Sequence, residues 1–199
     1  VGQHTNVCLG KPCADPALIP SMLNENDEFH SSRTFRDHFK RGEELIDFDE
    51  ACIEIRAQHD RFVEIVGREP DYFEAHAVMS KNLNRAISAV AQELGLKEQK
   101  ASFDPAAVVH CGDTDLRMVM RSMEPGYEPK EAIMQTVRGM VDGETVVFVC
   151  HPGYLDRFIL ENSSLTTDRT KEVDALIDPE LRAWLESQSD LRLIDYRDL

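Results

Sequence analysis

The run Thr145, Val146, Val147, Phe148, Val149, Cys150 constrains the fold more than any other stretch of this chain. A continuous run of β-branched, aromatic and small apolar residues, without polar alternation, is the pattern of a parallel strand buried on both faces. Such a strand needs helices to cover it, and helical patterns are present. Phe48, Ala51, Cys52, Ile55, Phe62, Val63 and Val66 recur at helical spacing, with His59 on the same stripe. Asp47 suits the start of that helix and Gly67 its end. Pro70 then permits an extended segment over residues 71–75. The spacing predicts a second helix over 78–94, closed by Gly95, and a third over 129–142 between Pro129 and Gly143. Two short helices follow over 168–176 and 179–187, and strands are expected over 1–9 and 191–196. Residues 10–46, broken by Pro12, Pro16 and Pro20, read as irregular, and a stretch of that length is often a functional loop.

Helices alternating with buried strands define an α/β chain with parallel strands, read here as one domain over residues 1–199. A (β/α)-barrel-like layout suits the pattern, although a whole eightfold barrel takes about 250 residues. The chain carries 22 Lys and Arg against 37 Asp and Glu, a net charge of −15. A surface this acidic repels phosphate backbones and anionic membranes, which argues against nucleic acid as a partner. The longest apolar run is too short to span a bilayer. The five cysteines form no CxxC pair and no zinc-finger spacing. With no signal peptide in view, they point to a reducing cytoplasm.

The chemistry concentrates in histidine. His4 lies in the first strand segment, His76 follows Tyr72-Phe73-Glu74-Ala75, and His151 follows the apolar run. In parallel α/β folds the loops at the C-terminal ends of strands converge on one face and carry the site. Histidine there is a metal ligand or a proton carrier near neutral pH. Each histidine taken alone also has a plain structural reading, as a terminal residue, a helix-start partner or an ordinary turn residue. Pro152 and Gly153 force a turn directly after His151 and hold it on a rigid edge. His30 and His38 read as solvated, His59 as a satisfied residue of the helix stripe, and His110 has no assigned place. No P-loop, GxGxxG, GxSxG or HExxH occurs, which weighs against a nucleotide-binding protein, a serine hydrolase and a zincin protease.

Five segments, in order along the chain, resemble one family. Gly2-Gln3-His4-Thr5-Asn6-Val7-Cys8-Leu9-Gly10-Lys11-Pro12 resembles the G-[LMQ]-H-x-[NV]-L-T-x-G-[KR]-P segment of YdjC-like proteins. Pro20-Ser21-Met22-Leu23, running on to Phe29, resembles their V-P-S-L-x-D-x-x-G-x-F loop. Gly67 to His76 resembles G-x-x-P-T-H-[IL]-D-S-H, and Cys150-His151-Pro152-Gly153-Tyr154-Leu155-Asp156 resembles C-H-P-G-Y-x-D. Ser163-Ser164-Leu165 with Arg169-Thr170-Lys171-Glu172-Val173-Asp174-Ala175-Leu176 resembles S-S-Y…R-x-x-E-L-x-x-L.

The resemblance implies a (β/α)-barrel-like fold and metal-aided hydrolysis of an N-acetyl group on a sugar, as in the chitooligosaccharide deacetylases. It places two ligands of a divalent metal ion, magnesium or zinc, on His4 and His76. It makes His151 a proton donor or substrate contact, with Pro152, Gly153 and Tyr154 beside the saccharide and Glu74 behind the ligands. The family's A-D-D-F-G segment, which supplies a metal-binding Asp and a catalytic base, has no counterpart here and should lie upstream of Val1. The barrel is therefore expected to be incomplete at its N-terminus, with an apolar edge open to pairing in a homo-oligomer. Where the family reads D-S-H-x-H-x-H, this chain reads Glu74-Ala75-His76-Ala77-Val78-Met79-Ser80. That change favours a weaker metal site or, as the competing reading, a degenerate member that binds a saccharide without turnover.

Overall fold

The structure, a computed structural model, describes residues 1–100, 108–111, 113–196 and 198. The chain divides into two compact units, Val1–Ala101 and Ser102–Leu199. Each holds one three-stranded sheet.

In the first unit, β1 (Gln3–Thr5), β2 (Tyr72–Ala75) and β3 (Lys97–Glu98) pair in that order, both times in parallel. Parallel neighbours need crossovers, and helices supply them: α1 (Ser32–Lys40), α2 (Phe48–Val66) and α3 (Lys81–Leu94). The Asp47 carboxylate accepts the Asp49 and Glu50 N–H groups at the start of α2, and Gly67, at φ 77°, ends it in the left-handed region. Ser80 caps α3 and Gly95 closes it in the same way. The stripe read from the sequence does bury Ala51, Cys52, Ile55 and His59, but Val66 at its end is exposed. Against it lie Leu83, Ala86, Ile87 and Val90 of α3 and Phe73 of β2. Along β1, Gln3 and Thr5 point into this core while His4 points away, the period-2 alternation of a strand.

Residues 10–46 depart from the open loop read from the sequence. They contain two single 3-10 turns and α1, and they place Ile19, Met22, Leu23, Phe29, Phe35 and Ile46 in the same core. Helix α1 escaped periodicity because Phe35 is its one buried residue. What binds the early part of this segment is the polar edge of α2. Gln58, Glu54 and Glu50 stand four residues apart, one turn above another. Gln58 exchanges hydrogen bonds with both backbone groups of Asn6, at 2.6 and 3.1 Å. Glu54, with no exposed surface, accepts the Cys13 and Ala14 N–H groups at 3.0 and 2.9 Å, and Glu50 accepts that of Ser21 at 2.7 Å.

In the second unit, β4 (Val108–Cys111) pairs antiparallel with β5 (Thr114–Val119), which pairs parallel with β6 (Thr145–Phe148). The helices are α4 (Pro129–Arg138), α5 (Arg157–Asn162), α6 (Thr167–Leu176) and α7 (Pro179–Glu186). Several sequence expectations are corrected here. β6 stops at Phe148, and all four of its residues are half-buried rather than enclosed on both faces. It stands at the end of its sheet with β5 as its one neighbour among the described residues. Helix α4 ends four residues early, at Arg138, and Gly143 instead serves the turn before β6, with φ 77°. Residues 191–196 form no strand, and Leu193 and Ile194 are exposed. The antiparallel β4–β5 pair was not foreseen. Among the described residues, no helix is long and apolar enough to cross a membrane.

Replacing Glu54 by Ala should remove the acceptor for two backbone donors and for the Gln58 amide. Donors left without partners in buried surroundings cost about 1–3 kcal/mol each, and the part-buried Cys13 and Ala14 N–H groups, which water can reach, fall at the low end. Urea unfolding should show Glu54→Ala destabilised by about 2–3 kcal/mol, with Glu54→Gln intermediate. A loss under about 1 kcal/mol would mean that α2 does not hold this segment.

Candidate active-site residues

The parallel register of β1 and β2 sets His4 directly beside Glu74. Both side chains stand on the face turned away from Phe73 and the helices, and His76, two residues on, keeps the same side. The chain past β2 stays in register as well, since the His76 N–H bonds to the Thr5 carbonyl at 2.9 Å. The result is a chain of three groups. Glu74 Oε1 lies 2.8 Å from His4 Nδ1, and His4 Nε2 lies 2.8 Å from His76 Nδ1. The two rings meet edge to face, at 71° with centroids 4.8 Å apart. Immediately after His76, Ala77 takes φ 46°, a left-handed conformation that a non-glycine residue adopts at a cost. It turns the backbone from the strand towards α3. Gly2, on the same face, is required for close approach: a Cβ there would come within 2.4 Å of the Tyr72 ring.

A carboxylate accepting from His4 Nδ1 fixes the tautomer in which Nε2 presents its lone pair, the arrangement found behind metal-bound histidines. His4 Nε2 then accepts the His76 Nδ1–H across 2.8 Å, so the two rings share one proton, and Glu74 stands behind His4 rather than beside it. Two nitrogens suit a divalent ion, which in a catalytic site takes about three protein ligands. Among the described residues no group of three His, Cys, Asp or Glu is gathered to hold an ion. An ion held here would replace the proton the two rings share, with His4 and His76 supplying two of its ligands. Val78 and Ser80, which stand where the family pattern has histidines, do structural work: Val78 is in the core, and Ser80 caps α3 and donates to Glu44 at 2.7 Å.

His151 belongs to the second unit. It lies three residues beyond β6, in a turn held at three backbone groups. Its N–H bonds to Glu172 Oε2 at 2.5 Å, its carbonyl accepts from the Arg169 guanidinium at 3.3 Å, and the Gly153 N–H bonds to the Arg169 carbonyl at 3.3 Å. Glu172 has no exposed surface and also accepts the Tyr127 hydroxyl at 3.0 Å. The imidazole meets Ser122 Oγ at 3.3 Å from Nδ1. Tyr154 stands in solvent, 79% exposed. Beside His151, burial and the Glu172 charge push the Cys150 thiol up to about 11. It is therefore protonated at neutral pH and is no nucleophile. Burial and the bond to Glu172 likewise raise the Tyr127 phenol.

The sequence picked out His4, His76, Glu74 and His151 but not Ser122 or Tyr127, which carry no motif of their own. Arg169 and Glu172 were visible as motif letters without a role. The remaining histidines sit apart from this chemistry. His59 is buried against Phe73 and paired with Glu69, as the stripe suggested. His110 is exposed and pairs across the β4–β5 ladder with Asp115. His38 pairs with Glu43. His30, read as solvated, is half-buried against Phe35 and held below the usual imidazole range by that burial.

A family model described as YdjC-like protein matches residues 1–187. Carbohydrate deacetylase 2 of Listeria innocua is 27% identical, covering all of this chain and 77% of its own length. The chitooligosaccharide deacetylase of Serratia marcescens is also 27% identical, over all of this chain and 78% of its own. A crystal structure of an Enterococcus faecalis protein described as a cellobiose-phosphate cleavage protein superposes with a TM-score of 0.79 at 22% identity. The match covers 99% of this chain and 76% of that one.

The turn after His76 yields a direct test. Ala77→Gly should be neutral or stabilising by up to about 1 kcal/mol in thermal unfolding, because glycine tolerates a left-handed φ. Ala77→Val, β-branched, should destabilise by more than about 1 kcal/mol. Equal melting temperatures for the two variants would refute the strained turn.

Proposed function

This chain belongs to the YdjC-like family, and from that premise we propose that it is a hydrolase that removes the acetyl group from an N-acetylated sugar or oligosaccharide with the help of a divalent metal ion, magnesium or zinc. The observation that carries the reading is the Glu74–His4–His76 chain, in which two ring nitrogens face each other at 2.8 Å and a carboxylate sets the tautomer of the first. The deacetylase names of the relatives support the reaction. The reading extends to a (β/α)-barrel-like fold, supported by the parallel pairing within both sheets.

His4 and His76 are the residues that would hold the ion, which when bound supplies Lewis acidity to the acetamide carbonyl. Glu74 keeps the proton on His4 Nδ1 and so keeps Nε2 a donor atom. His151 delivers a proton to the leaving amine, a role that suits an imidazole near neutral pH. Pro152, Gly153 and the exposed Tyr154, beside His151 in the second unit, are the residues that would contact the saccharide. The acidic surface suits a neutral saccharide better than a polyanion.

A second reading, saccharide binding without turnover, draws on Val78 and Ser80. These positions are committed to the core and to a helix cap, so the metal site lacks the polar surroundings that the family motif provides.

The test is acetate release from chitooligosaccharides, read alongside metal content and melting temperature with added zinc or magnesium. His4→Ala and His76→Ala should abolish the metal-induced rise in melting temperature, and Glu74→Ala should weaken metal affinity about 10–100-fold. His151→Ala should lower kcat about 10²–10⁴-fold with metal binding intact. Metal binding without acetate release from the unaltered protein would favour the second reading; no metal binding at all would refute the histidine site.

A further inference from the structure

The His151 turn is held by more than a loop needs. Strand β5 pairs with β6 so that Val119 stands beside Phe148, and the ladder runs on through the Val149 N–H to the Val119 carbonyl at 2.8 Å. Three residues past each of these ends come Ser122 and His151, in adjacent loops at the same end of the sheet. Ser122 is fully buried. A buried hydroxyl carries one donor and two acceptor sites, and His151 Nδ1 meets it at 3.3 Å, in a contact that either group can donate. The backbone of His151 is fixed separately, by the buried Glu172 carboxylate on its N–H and by Arg169 on its carbonyl. Glu172 is oriented in turn by the Tyr127 hydroxyl. Backbone and ring thus have independent restraints.

We propose that Ser122 and Glu172 are positioning residues for His151: Ser122 accepts the Nδ1–H and holds the ring in one tautomer, and Glu172 fixes the backbone from which the ring projects. The proton that His151 exchanges is then carried at Nε2, and its Nδ1 proton stays in place in both charge states. The inference rests on the reading of His151 as the proton donor of the deacetylation. Among the described residues Glu172 accepts from a backbone N–H and a phenol, both neutral donors, so it acts through its two acceptor oxygens rather than as an acid or base. Glutamine can reproduce that pattern: its Oε1 accepts the His151 N–H, and its amide donates to the Tyr127 oxygen, whose own proton turns away. Alanine cannot.

Two measurements on the full chain test this. The first is histidine ring nitrogen NMR at about pH 8, above the imidazole range, with His151 assigned from the signals lost in His151→Gln. The unaltered protein should show the Nδ1–H tautomer at His151, Ser122→Ala a mixture of tautomers, and Ser122→Thr a return to the first. An unchanged His151 spectrum in a folded Ser122→Ala protein would overturn the role of Ser122. The second is kinetic. A misplaced catalytic group costs about a hundredfold, so Glu172→Ala should lower kcat by about that factor with KM nearly unchanged, and Glu172→Gln should recover most of it. Equal losses in the two variants would overturn positioning by hydrogen bonds. Should Glu172→Ala fail to fold, Tyr127→Phe, which leaves the carboxylate in place, should lower kcat without moving KM, and an unaffected kcat would count against the network. If the unaltered protein releases no acetate, the deacetylase reading fails, while the nitrogen spectra of the Ser122 variants still decide this one.

Discussion

Taking a carboxylate out of water costs several kcal/mol unless good hydrogen bonds replace the lost hydration. This chain does so at Glu54 and at Glu172, both without exposed surface. In each case the carboxylate sits on a helix and accepts backbone N–H groups from the segment that leaves a parallel strand. Glu54 on α2 takes Cys13 and Ala14 after β1, and Glu172 on α6 takes His151 after β6. Charge-assisted bonds to backbone donors are about twice as strong as neutral ones, which suits them to segments without a ladder of their own. The rest of each unit depends on this: the core of the first takes its apolar lid from residues 19–46, and the second presents its histidine from a fixed turn.

The histidine pair depends on a different constraint. In a parallel ladder a shift of one residue turns every side chain to the opposite face. His4 meets Glu74, and His76 meets His4, because Gln3 pairs with Phe73. The burial of Gln3, Thr5 and Phe73 beneath the helices locks that register. Packing on one face therefore sets the chemistry on the other, and Ala77 completes the arrangement by turning the chain at once towards α3.

The parts of the fold that rest on local physics were legible in the sequence. Helix α2 announced itself by an apolar stripe with a cap at each end, α3 by its stripe and the closing Gly95 although it starts at Lys81 rather than residue 78, and α6 and α7 were placed within a residue. The reading failed where burial is settled by distant segments. Phe35 alone is too sparse a signal for a helix. The apolar run of β6 matched an enclosed strand, but its side chains are half-buried, with β5 as its one neighbour among the described residues. The 191–196 stretch has strand-like composition but, among the described residues, pairs with no strand.

The residue types alone pointed to an α/β chain with parallel strands, singled out His4, His76 and His151 as the candidate reactive groups, and showed which family the motifs follow. Periodicity, capping chemistry and motif order are properties of neighbours along the chain. Only the tertiary structure decided that Glu74 supports His4, that Ser80 and Val78 serve the scaffold, and that Ser122 and Glu172 hold His151. Those pairs are separated by 70, 29 and 21 residues where they bond directly. Contacts at such separations are fixed by strand register and helix packing, which no local pattern encodes.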